Sequence, residues 1–166
     1  MAQSNPNKLT YPVNQIVTRT AAVQLNPTVT PSSAYASNNC VGGLLTFNGI
    51  AGPQQSGIVQ NLHVNIKSVQ AGGFKFYLFN NNPGSTTIRD KANTSINAAD
   101  IPSLIGVYTL GTADNSLGTT TIQVLDNIGK AFTASTPNLY GQLMTTGTPT
   151  YATSSDVFVT LTVLQD

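Results

Sequence analysis

The first candidates for chemistry in this chain are one histidine, one cysteine and six aspartates. His63 falls on the outward side of an alternating run, between Asn61 and Asn65. As a general base it would need a nucleophile and an orienting acid, yet no G-x-S-x-G elbow occurs and no Asp is near it in sequence. It reads as a surface or interface histidine. Cys40 opens the apolar run Cys40-Val41-Gly42-Gly43-Leu44-Leu45. A reactive thiol needs a cation or a helix N-terminus to lower its pKa. Gly42-Gly43 announces a turn or bulge instead, so Cys40 reads as a buried structural residue. The acids are Asp90, Asp100, Asp114, Asp126, Asp156 and Asp166, and there is no Glu. Paired-carboxylate hydrolysis needs two carboxyls facing one cleft, and no local motif brings two of these together. Asp90-Lys91-Ala92-Asn93 and Asp114-Asn115 read as turn formers, because Asx side chains cap their own backbone. They do not follow a calcium-loop pattern.

Glycine pairs and aromatics are equally unpromising as sites. Neither Gly42-Gly43 nor Gly72-Gly73 is followed by the helix that a phosphate loop requires. Phe74, Phe76 and Leu78 would share one strand face, with Tyr77 and Phe79 on the other. One set therefore reads as core, not as a stacking platform for bases or sugars. The sequence thus assigns no catalytic residue, no cofactor-binding residue and no metal ligand.

The elements that would hold these residues are strands. Thr, Val, Ile, Tyr and Phe are plentiful, and short two-residue alternations are broken by Gly, Pro and Asn. Strands are expected at Ile16–Leu25, Cys40–Phe47, Ile58–Lys67, Phe74–Phe79, Leu104–Leu110, Thr119–Leu125, Leu139–Thr145 and Val157–Leu164. Leu62, Val64 and Ile66 would face inward in the third. Val157, Val159, Leu161 and Val163 would share one face in the last. One helical turn is expected near residues 97–104, capped by Asn97 with Asp100 in its first turn and Pro102 tolerated inside it. About eight short strands predict an all-β fold: an antiparallel, jelly-roll-like β-sandwich. Residues 16–166 would form this single domain, preceded by an extended N-terminal arm, residues 1–15. Residues 26–39 read as a long polar loop, a length that is usually functional or disordered.

Composition narrows the function. Only 8% of the 166 residues are charged and formal net charge is +1, while mean hydropathy is zero. Ordinary domains carry about 25% charged residues. The polar share is met by Thr, Ser, Asn and Gln, which cost less to desolvate than charges. No basic footprint for nucleic acid or anionic lipid exists, and no apolar run approaches the roughly 20 residues of a membrane span. The N-terminus lacks signal-peptide features. A lone cysteine allows no intrachain disulfide, so synthesis in a cytoplasm is the simplest expectation.

One stretch carries a resemblance. Gly73-Phe74-Lys75-Phe76-Tyr77-Leu78-Phe79-Asn80-Asn81-Asn82-Pro83-Gly84 leads into Thr87-Ile88-Arg89-Asp90, then Ala99-Asp100-Ile101-Pro102-Ser103-Leu104-Ile105-Gly106. This succession resembles small virion structural proteins of tailed bacteriophages, of the head decoration (cement) type. About a third of the chain is covered; Asn80 and Lys91 depart from the pattern at turn positions, against a shared ion site. The resemblance implies a jelly-roll-like sandwich and no catalytic residues. It also implies a non-enzymatic role on the capsid exterior, stabilising the shell. The partners would be the major capsid protein and copies of itself, as a homotrimer. A carbohydrate- or receptor-binding module of a phage fibre or tail is the alternative expectation. Such a module would usually show exposed aromatics, and this chain has no Trp.

Overall fold

The computed structural model describes residues 19–70, 72–111 and 115–166. The expected arm, residues 1–15, and the first three residues of the first expected strand, 16–18, lie outside them.

Ten strands and one 3-10 turn are formed by the described residues. They are β1 (Arg19–Leu25), β2 (Cys40–Phe47), β3 (Ser56–Ile66), β4 (Phe74–Phe79), β5 (Leu104–Leu110), β6 (Asn115–Leu117), β7 (Thr120–Leu125), β8 (Lys130–Thr133), β9 (Leu139–Thr145) and β10 (Val157–Gln165). The eight expected strands are all present, and those at β2, β4, β5 and β9 have the expected bounds. Two are additional: β6 and β8. Asn115, expected in a turn, opens β6, and the turn follows at Gly118, whose φ is +67°.

Pairing is antiparallel throughout the named strands and nested. β1 pairs with β10, β2 with β9, β3 with β7 and β4 with β5. Successive nested pairs fall in alternate sheets. Two further pairings, β10 with β3 and β9 with β4, stitch them into a six-stranded sheet, β1-β10-β3-β7-β6 with β8 also on β3, and a four-stranded sheet, β2-β9-β4-β5. This is a long antiparallel ribbon rolled into a jelly-roll sandwich.

The core lies between the sheets. Val157, Val159, Leu161 and Val163 of β10 are all buried, as alternation requires. On β3 the inward residues are Val59, then Leu62, Val64 and Ile66. Val59 and Leu62 are an odd step apart, so strict alternation cannot put both inside. A bulge resolves this: Thr162 pairs with Asn61 and Val163 with Val59, leaving Gln60 as the extra residue. On the other edge of β3, β7 stops and β8 begins beside the same point, where the Ile128 N–H donates to the Gln60 carbonyl. In the other sheet, Phe47 and Phe76 meet edge to face at 6.1 Å. They fit because position 141 is glycine: a Cβ there would stand 2.4 Å from the Phe76 ring.

The 3-10 turn, Ala98–Ser103, is capped as expected: the Asn97 side chain accepts from the Ala99 N–H. Asp100 is buried there, accepting from the Thr86 hydroxyl at 2.6 Å and the Ser85 N–H at 3.3 Å.

Candidate functional site

The six-stranded sheet presents an outer face whose residues can be read in rows from the strand registers. One row runs Thr20, Leu164, Ile58, Ala131. The next is Ala22, Thr162, Asn61. The third is Gln24, Thr160, His63, Val124, and the last Phe158, Asn65, Ile122. None of these positions holds Lys, Arg, Asp or Glu. Charged residues stand instead at strand ends around the rim: Arg19, Lys67, Asp126, Lys130 and Asp166. The pattern matches the anatomy of a protein interface, a charge-depleted centre inside a charged rim. At one end of the face, Phe158, Ile122, Asn65 and Thr120 line an apolar groove of about 240 Å³. Lys67 closes it, with its ammonium 5.2 Å from the Phe158 ring centroid.

The four-stranded sheet differs. Its outward residues Phe79, Gln142 and Met144 are buried, with Cys40 beside them, and none belongs to the apolar core between the sheets. The connection between β4 and β5, residues 80–103, runs past the start of this sheet's first strand. It is fastened to the start of β2 by Cys40 N–H to the Ala92 carbonyl and Lys91 N–H to the Cys40 carbonyl, each 2.8 Å. Part of this sheet's outer side is thus buried, while Val107 and Thr109 on β5 stay exposed.

Asp90 fastens the same region from its side chain. Its carboxylate accepts from Thr30 N–H (2.9 Å), the Thr30 hydroxyl (2.7 Å), the Tyr35 hydroxyl (2.8 Å) and Gly42 N–H (2.7 Å). Gly42 and Gly43 form the bulge expected of them, both at φ +76°. Residues 26–39 are therefore a tethered segment. Backbone bonds to residues 145–154 run along it, and Tyr35, buried, packs edge to face on Tyr151 at 5.1 Å. Burial, with the Asp90 hydrogen bond, pushes the Tyr35 phenol up, and burial does the same at Tyr151.

The residues considered for chemistry are dispersed or occupied. Cys40 is fully buried, and burial pushes its thiol up to about 11, against a smaller opposing pull from the Gly43 backbone. A protonated thiol at neutral pH is a weak nucleophile. His63 stands on the outer face as expected. The β3–β7 register brings Asp126 to 3.6 Å from its Nε2, a neighbour invisible to local sequence reading. That distance is longer than a hydrogen bond, and Asp126 is 56% exposed. Asp156 accepts from the Thr153 hydroxyl and the Ala152 N–H. Burial works against its charge, but those bonds and Lys67 outweigh burial and hold the carboxyl below the usual aspartate range. Asp166 accepts from the Ser56 hydroxyl. Asp114 lies outside the described residues. Among the described residues, no three His, Cys, Asp or Glu side chains form a group that could hold a metal, and no helix is long and apolar enough to cross a membrane.

No protein-family model, curated protein or solved structure matches this chain.

Proposed function

We propose that this protein is a non-enzymatic structural protein that works by binding other protein surfaces, as a decoration protein on the exterior of a tailed-phage capsid. The observation that carries the reading is the uncharged outer face of the six-stranded sheet with its charges at the rim. Covering such a face strands no buried charge, which is the largest penalty an interface can incur. The motif resemblance over residues 73–107 supplies the particle, and the expected assembly there is a trimer contacting the major capsid protein. Binding would depend weakly on salt, because few charges are engaged.

The test is a titration of purified protein onto undecorated capsids, pelleted and quantified against the major capsid protein. The expected result is a plateau at a fixed copy ratio, largely unchanged by added salt. No co-sedimentation at any concentration would overturn the reading. A second reading, glycan binding, is favoured by a shallow hollow of about 300 Å³ lined by Asn80, Asn81, Asn82, Asp100, Ser103 and Ser135. A glycan screen would follow a negative capsid result.

A further inference from the structure

The open face also carries an inference that needs no capsid. We propose that two copies of this chain pack against each other through the outer faces of their six-stranded sheets, with the strand ends exchanged.

Three observations converge on a second copy as the occupant. The first is charge. A partner rich in charge would bury it against positions that offer none in return, whereas a second copy brings the same face, free of Lys, Arg, Asp and Glu: Thr, Asn, Gln and aliphatic side chains with Phe158 and His63. Thr160, Thr162 and Asn61 at the centre each both donate and accept, so they can pair with their own kind.

The second is shape. A contact of a surface with itself is isologous: if one residue touches another, the reverse contact must also fit. This face has a groove at one end, between Phe158 and Ile122. At its other end stands Ile58, a large apolar side chain 36% exposed. Turning the second copy end for end seats each Ile58 at the other's groove. The same turn brings Lys67, at the groove end, towards the Ile58 end, where Asp166 stands with Arg19 and Lys130, so this rim adds no net charge complementarity.

The third is area. β1, β10, β3 and the β7–β8 edge make the face about 19 Å wide at ~4.8 Å per strand, and Phe158 to Leu164 spans roughly 23 Å at ~3.3 Å per residue. Each copy then contributes about 440 Å² of projected area. The pair then totals about 880 Å² of projected area, below the roughly 1,200 Å² of standard specific interfaces and in the size class of weak, transient contacts. A micromolar dimer fits such an area.

Sedimentation velocity of the full chain, from about 1 to about 100 µM, tests this. The expected result is a monomer–dimer equilibrium that Thr160→Lys and Ile58→Lys each abolish, with the circular dichroism of the monomer unchanged. A disulfide cross-link in an Ile58→Cys/Ile122→Cys double variant would fix the end-for-end arrangement. Should either lysine variant misfold, Thr162→Lys serves in its place. A wild type that stays monomeric at about 100 µM overturns the proposal. So does an oligomer that survives the lysine substitutions, because its interface must lie elsewhere. Capsid binding is proposed for this same face, so a paired copy must part from its partner before it binds; sedimentation of the free chain and the copy ratio on the lattice read these two states separately.

Discussion

Asp90→Ala is the substitution whose cost follows most directly from the geometry. The carboxylate receives donors from the 26–39 segment and from the glycine bulge of β2. Truncation does not strand all of them. The Thr30 N–H keeps a second acceptor, the Tyr35 hydroxyl at 2.8 Å, and the exposed Thr30 hydroxyl can turn to water. The Tyr35 hydroxyl and the Gly42 N–H lose their acceptor in a part-buried setting. Each such loss costs about 1–3 kcal/mol. Asp90 itself is half-exposed, so water entering the space recovers part, and we expect about 2–4 kcal/mol in total. For a chain of this size that is a fall in Tm of roughly 4–16 °C. Asp90→Asn should fall between: one amide oxygen accepts, but the NH₂ then faces an N–H donor. Urea denaturation with the slope held constant measures the difference. Asp126→Ala, exposed and beyond hydrogen-bond distance of His63, is the control and should stay within about 0.5 kcal/mol. An Asp90→Ala loss no larger than the control's would refute the view that this carboxylate holds the 26–39 segment.

Three further outcomes are expected. Asp156 titrates below its ordinary value when folded, so its contribution is present above the unfolded aspartate pKa of about 3.9 and disappears as pH falls through the folded one. Melting curves between about pH 5 and pH 2 should therefore show a smaller acid loss in Asp156→Asn than in wild type, and equal losses would contradict the assignment. Gly42→Ala would place a Cβ 2.2 Å from Pro27 at φ +76°, and Gly141→Ala would press on Phe76. Each should cost at least about 1–3 kcal/mol by denaturation. Cys40, buried with its thiol pushed up, should resist a thiol reagent in the native protein at neutral pH and react fully after unfolding; rapid native labelling would show the assignment wrong.

What the sequence made legible was what local period controls. Leu62, Val64 and Ile66, and the four apolar residues of β10, alternate strictly, so their strands and their inward faces could be read directly. Asn97 announced its cap because an Asx side chain bonds a donor two residues away. What escaped was set by partners distant in sequence. β6 and β8 are three and four residues long. Of β8 only Phe132 is buried, so their order comes from β7 and β3. The bulge at Gln60 changes which parity faces inward, and only the neighbouring strand reveals where. Residues 26–39 looked like a free polar loop because their anchor, Asp90, lies 60 residues from Thr30. Val29 and Tyr35, large apolar groups in that run, were the available signal of tethering, and both are buried. Asp126 reaches His63 only through the β3–β7 register.

The uncharged face is then more than a by-product of a charge-poor composition. Three of the few acids have interior duties: Asp90, Asp100 and Asp156 each tie a loop through hydrogen bonds to N–H and hydroxyl groups. Such bonds are about twice as strong as neutral ones, which suits a chain whose lone cysteine allows no intrachain disulfide. Arg19, Lys67, Asp126, Lys130 and Asp166 lie at or beyond strand ends. A random scatter would have put some of them in the sheet rows, since outward positions on a solvated antiparallel sheet are where charged residues ordinarily go. On the other sheet Lys75 does occupy such a position, on the strand between Phe74 and Phe76. The two sheets therefore differ: the four-stranded sheet carries a charge on its outer side, and the rows of the six-stranded sheet carry none. An open face kept free of charge is expensive for solubility, and the compensation physical chemistry offers is that the face be covered in use.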